Sequence, residues 1–98
     1  MLSLKMHYEP PFNILIKKID EILKIEKDSI TLNELLNIFY DEYGNEFNEL
    51  IWDKNNKDEL HKQLVIIING MTFRDENFLL TKLKDGDDVS FLYVYFGG

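Results

Sequence analysis

Thr31-Leu-Asn-Glu34 has the spacing of a capping box, in which the threonine hydroxyl and the glutamate carboxylate each satisfy a backbone N–H that the first helical turn leaves orphaned. A helix is predicted to start here. Leu32, Leu35, Leu36, Phe39 and Tyr43 recur at i, i+3, i+4, i+7 and i+11, a continuous apolar stripe, while Asn33, Glu34, Asn37, Asp41 and Glu42 lie largely outside it. Gly44 is expected to end the helix in a left-handed conformation. A helix with one apolar face must lay that face on something, and the rest of the sequence supplies mostly strands.

Leu2, Leu4, Met6 and Tyr8 recur at every second position, one face of a strand that Pro10-Pro11 ends. Residues Phe12 to Ile19 read either as a second strand, with Ile14 and Ile16 alternating, or as a short helix opened by Pro11; the helix is preferred. Ile22-Leu-Lys-Ile25 forms a short strand running into the turn-prone Lys27-Asp-Ser29. After the main helix, Phe47, Leu50, Ile51 and Trp52 make a further helical turn, and 53–59 form a charged surface loop, expected to be the most mobile part. Leu64-Val-Ile-Ile-Ile68 reads as a central strand covered on both faces, ending at Asn69-Gly70, a strong tight-turn signal. Met71-Thr-Phe73 is a brief return strand, and Asn77 to Lys84 a connection carrying Phe78, Leu79, Leu80 and Leu83 inward. Asp85-Gly-Asp-Asp88 is a turn in which Asp85 bonds local backbone N–H groups, and Val89 to Phe96 is a long β-prone run. Short strands around one dominant helix, without a βαβ repeat, make an α+β fold with one sheet curled around that helix. At 98 residues a single domain over 1–98 is expected.

Composition excludes several function classes. The formal net charge is −7 and Arg74 is the only arginine, so the footprint of a phosphate binder is missing and neither nucleic acid nor an anionic membrane is an expected partner. With no cysteine there is no disulfide, thiol nucleophile or cysteine-based metal site. The opening MLSLKMHYEPPF lacks the pattern of a signal peptide and no segment has the length of a membrane span, so a cytoplasmic protein is expected. Asp85, Asp87 and Asp88 read as turn chemistry in preference to a cation site, His7 and His61 belong to no ligand motif, and Glu42, Glu46 and Glu49 read as a solvated face. No metal site is predicted.

Ile66-Ile-Ile-Asn-Gly70, then Leu83-Lys-Asp-Gly-Asp-Asp-Val89, then a terminal strand running to Gly97-Gly98, together resemble the MoaD/ThiS family of sulfur carriers, relatives of ubiquitin with the β-grasp fold. The likeness is closest to the molybdopterin-synthase small subunit, covers most of the chain, and is weakest over 45–62. It implies a carrier, not an enzyme. A partner adenylating enzyme of the MoeB or ThiF type would use ATP to join the Gly98 carboxyl to AMP, sulfur would displace the AMP to leave a thiocarboxylate, and the molybdopterin-synthase large subunit would receive the sulfur for molybdenum-cofactor synthesis. The carrier binds no cofactor of its own. Gly97 belongs to a flexible Gly-Gly tail whose lack of Cβ atoms lets it thread a narrow channel. The resemblance leaves open a thiamine-pathway carrier, a protein modifier conjugated through Gly98, and an interaction module that is never activated.

Alternation splits the last strand into Val89, Phe91 and Tyr93, facing the helix stripe, and Leu92, Val94 and Phe96, facing the open side with Ser90. Leu92, Val94, Tyr95 and Phe96 are therefore the expected partner-binding residues, unless the 12–19 or 45–62 segment covers that face. The aromatic approach Tyr93-Val-Tyr-Phe96 departs from the proline common before the glycines in this family.

Overall fold

The computed structural model describes residues 1–72 and 77–95. Strand β1 (Leu2–Tyr8) buries Leu2, Leu4, Met6 and Tyr8, as the alternation requires. The helix α1 (Phe12–Ile16) is shorter than the 12–19 stretch, because Lys17 turns to φ 65°, ψ 30° and closes it with an N–H bond to the Asn13 carbonyl. Strand β2 (Asp20–Ile25) begins two residues before Ile22 and pairs antiparallel with β1. A three-residue strand β3 (Ser29–Thr31), not foreseen, leads into the main helix α2 (Leu32–Tyr43).

The capping box is formed: Thr31 Oγ1 accepts from the Glu34 N–H at 3.1 Å, and Glu34 Oε1 accepts from the Thr31 N–H at 3.0 Å. Leu32, Leu35, Leu36 and Phe39 are buried, and Tyr43 stacks on Phe39. Gly44 departs from the expected left-handed stop, adopting φ +74° and ψ −155°. The cause is the adjoining helix α3 (Asn45–Ile51), which starts at the next residue. Gly44 donates its N–H back to Tyr40 and accepts from the Phe47 N–H, ending one helix while opening another. Trp52 stands just past α3 in an extended conformation and bridges to Leu60. The exposed 53–59 loop is thereby closed at its neck, where the Asp53 N–H also bonds the Glu59 carbonyl, and the Asp53 carboxylate accepts from the Asn55 and Asn56 N–H groups.

Strand β4 (Leu64–Ile68) is covered on one face only: Leu64, Ile66 and Ile68 are buried, Val65 and Ile67 half-buried. Asn69 and Gly70 both take positive φ, 51° and 81°, the requirement of a two-residue type I′ hairpin, and return the chain as β5 (Met71–Thr72). Phe73 lies outside the described residues. A 3-10 turn over Phe78–Leu80 buries Phe78 and half-buries Leu79 but leaves Leu80 67% exposed, since three successive residues on a three-residue period cannot share one side. Strand β6 (Lys82–Lys84) buries Leu83 and pairs with β3 as a small separate sheet.

The main sheet is completed by β7 (Asp88–Tyr93) and has the order β2-β1-β7-β4-β5, with β7 parallel to β1 and antiparallel to β4. The central position thus belongs to β7 and not to β4. Its inward Phe91 sits among Phe12, Phe39, Phe47 and Tyr8 at ring distances of 5.5, 5.4, 6.1 and 6.2 Å, so every helix packs on the same face of the sheet through one aromatic cluster. This is the α+β, β-grasp arrangement. No helix among the described residues is long and apolar enough to cross a membrane.

Candidate functional site

The two turns that carried the family resemblance meet in space. Asn69 Oδ1 accepts from the Asp88 N–H at 2.9 Å, Asn69 Nδ2 donates to Asp87 Oδ1 at 3.0 Å, and Asp87 Oδ2 accepts from the Lys84 N–H at 2.8 Å. Asp85 does not bond its own turn: its Oδ1 accepts from the distant Ser3 N–H at 2.8 Å, while the Gly86 N–H donates to the Ser3 carbonyl. With Gly86 at φ +88°, the turn clamps the start of β1 to the start of β7 and sets the register in which β7 crosses the sheet. All three aspartates therefore have structural partners, Asp88 pairing with His7, whose Nε2 lies 3.0 Å from its Oδ1.

At its other end β7 stops at Tyr93, short of the expected Phe96, because its neighbours run out. The β4 ladder begins at Leu64, opposite Tyr93, and β1 ends at Tyr8, opposite Phe91, just before the two prolines. Tyr93 is then fixed from several sides. Its Oη donates to the Leu50 carbonyl at 2.6 Å, Phe12 meets its ring edge-on at 5.6 Å, and the His61 ring stacks on it at 4.7 Å. His61 Nδ1 accepts from the Gln63 N–H, and the Gln63 carbonyl accepts from the Val94 N–H at 2.9 Å. Burial pushes the Tyr93 hydroxyl up to about 12, with Tyr95 adding to the shift, so it stays a neutral donor at neutral pH. The chain is held through Val94, and Tyr95 beyond it is 65% exposed. Phe96, Gly97 and Gly98, the expected working end, lie outside the described residues.

The sheet face opposite the helices carries Leu92 and Ser90 of β7, as alternation predicted, beside Val65 and Ile67 of β4 and Lys5 and His7 of β1. Leu92, Val65 and Ile67 are half-buried, and Lys5 is exposed. Neither α1 nor α3 covers this face, since both pack on the other side through Phe12 and Phe47 against Phe91. Val65 and Ile67 are hidden from a sequence reading because an unbroken apolar run conceals alternation, and Lys5 and His7 because only strand order brings them beside β7. Next to the β7 exit, α3 and the 53–61 segment border a groove of about 790 Å³ whose lining includes Glu49, Trp52, Asp53, Lys57 and His61. Among the described residues no group of three or more histidine or acidic side chains is placed to hold a metal ion.

The model of the ThiS family matches residues 12–98. Urm1 from Trypanosoma brucei is similar in solution structure, at 20% identity over 98% of this chain and 95% of that one, with a TM-score of 0.74. The small archaeal modifier protein SAMP1 from Methanosarcina acetivorans has 24% identity over 100% and 98%, TM-score 0.71. A Pyrococcus furiosus protein assigned as molybdopterin converting factor subunit 1 has 18% over 95% and 98%, TM-score 0.70. Compared with curated proteins, the chain has no match. Structures sharing under a quarter of their residues with this chain, yet superposing along nearly all of it, put its fold in the ubiquitin-like β-grasp class. The sequence match is narrower: the chain belongs to the ThiS family, small ubiquitin-like sulfur carriers.

Proposed function

We propose that this protein is a sulfur carrier for molybdopterin synthesis, with the Gly98 carboxyl as the group that carries the sulfur. The observation that supports it is the exit of β7: Tyr93 and Val94 are tied to α3 and to Gln63, so the described chain leaves the sheet from a fixed point beside a face that none of the described helices covers. A partner can grip that face, Leu92 with Val94 and Tyr95 at its border, and work on the residues beyond. The chemistry belongs to the partners. A carboxylate is a poor acyl donor, so an adenylating enzyme joins it to AMP with release of pyrophosphate. Sulfide, from a sulfur donor, then adds to the activated carbonyl, AMP leaves, and the thiocarboxylate remains. The large subunit of molybdopterin synthase takes the sulfur onto a pterin, and this chain acts as carrier without being the catalyst. ATP is consumed in the partner.

The exposed Tyr95 and its neighbour Phe96 favour a second reading, in which Gly98 is conjugated to lysines of other proteins, since a bulky aromatic approach suits an open acceptor surface better than a narrow channel. One experiment separates the two. Thiocarboxylated protein is mixed with the synthase large subunit and a pterin precursor in one arm, and the unmodified protein with the adenylating enzyme, ATP and a lysine-rich acceptor protein in the other. The proposal expects pterin sulfuration and no isopeptide-linked product; the reverse pattern makes the protein a modifier.

A further inference from the structure

Strand β2 is the last in the sheet order, and its outer edge has the pattern of a surface that pairs with itself. The Tyr8 N–H donates to the Ile19 carbonyl at 2.7 Å, which sets the phase of the β1–β2 ladder: Ile19, Glu21, Leu23 and Ile25 face β1, and Asp20, Ile22 and Lys24 turn their N–H and C=O groups outward. Among the described residues these outward groups have no backbone partner. Their side chains lie exposed on the open face, Ile22 at 56%, while Ile19, just before the strand and on the other face, is 73% exposed. A bare edge carrying apolar side chains is a template for another strand.

We propose that β2 pairs antiparallel with β2 of a second copy of this chain, about a two-fold axis through Ile22, to make one continuous sheet across two molecules. Charge complementarity selects both the occupant and the register. About Ile22, Asp20 stands opposite Lys24 of the second copy, Lys24 opposite its Asp20, and Ile22 meets Ile22. Moving the axis one residue to Glu21 sets Glu21 against Glu21 and Lys18 against Lys24; moving it to Leu23 sets Asp20 against Glu26. Axes midway between residues would pair side chains from opposite faces. Only the Ile22 axis pairs unlike charges at every charged outward position, and it is the one in which Asp20, Ile22 and Lys24 exchange all their free backbone groups. A two-fold interface of this kind closes on itself, so the association stops at two. Because β1 separates β2 from β7, both copies keep the end of β7 accessible. The formal charge of −7 per copy opposes the approach, which makes the pairing dependent on concentration and favoured by moderate salt.

The test uses the purified chain alone, so its outcome is independent of sulfur chemistry. Sedimentation over a range of concentrations in moderate salt, with amide hydrogen exchange on the same samples, is expected to show a growing dimer and rising protection at the Asp20, Ile22 and Lys24 amides. Asp20→Lys and Lys24→Asp each set like charges opposite one another at two places and are expected to weaken the dimer about tenfold. The double variant Asp20→Lys/Lys24→Asp restores unlike pairs and recovers the affinity of the original chain. Circular dichroism checks that all three variants keep the fold. A chain that stays monomeric throughout, a dimer indifferent to the single reversals, or a double variant no tighter than the singles overturns the proposal.

Discussion

Asn69 Nδ2 donates to Asp87 Oδ1 at 3.0 Å, joining two turns that lie 18 residues apart in the chain. The same side chain accepts from the Asp88 N–H, so Asn69 both makes the hairpin after β4 and fixes the start of β7. Asn69→Gly keeps the positive φ and loses only the side-chain bonds, and is expected to cost about 1 kcal/mol in urea unfolding. Asn69→Ala loses the bonds and strains a position at φ 51°, and is expected to cost about 2 kcal/mol.

Tyr93 gives an alkaline signature. Its hydroxyl is raised to about 12 by burial, above the ordinary tyrosine value of about 10, so the stability it contributes is complete below pH about 10 and is lost as pH climbs toward 12. Tyr93→Phe removes the bond to the Leu50 carbonyl, about 1 kcal/mol at neutral pH, together with this group's share of the alkaline loss. Tyr8, raised in the same direction by burial and by its bond to Glu21, continues the decline in both proteins. Unfolding midpoints at neutral and alkaline pH are expected to converge for the original and Tyr93→Phe chains as pH rises.

Glu34 acts at the acid end. The Thr31 N–H, then Lys27, hold its carboxyl below the usual glutamate range, so its contribution is present above pH about 4.3 and lost as the pH falls through its lowered value. Glu34→Gln is expected to flatten the acid limb of stability against pH. Thr31→Ala, which removes the cap itself, is expected to cost about 1 kcal/mol at neutral pH, measured by thermal or urea unfolding.

The elements legible in the sequence are those whose signal is local. The capping box and stripe of α2, the Asn69-Gly70 hairpin and the alternation of β1 need no knowledge of the rest of the fold. The three-residue strands β3 and β6 are too short to show a period, and each exists because the other is there to pair with it. Gly44 differs from a simple helix stop because its backbone answers to the helix after it as well as the one before. For the candidate site, alternation places Leu92 and Ser90 on the open face, but it cannot stop β7 at Tyr93, a boundary set by where β1 and β4 end.

Leu92 tests the open face as a docking surface. Leu92→Lys puts a charge beside Val65 on a face that no described helix packs against, so it is expected to leave the unfolding midpoint nearly unchanged while weakening binding to the adenylating enzyme about tenfold or more, as titration calorimetry would read. Equal binding by the variant would move the docking surface elsewhere.

The most direct measurement is the intact mass of the chain after incubation with an adenylating enzyme, ATP and a sulfur donor, combined with sequencing of its C-terminal peptide. The account predicts a gain equal to the difference between sulfur and oxygen, located on Gly98 and dependent on ATP. A chain whose Gly98 forms neither an adenylate nor a thiocarboxylate with any such enzyme contradicts it.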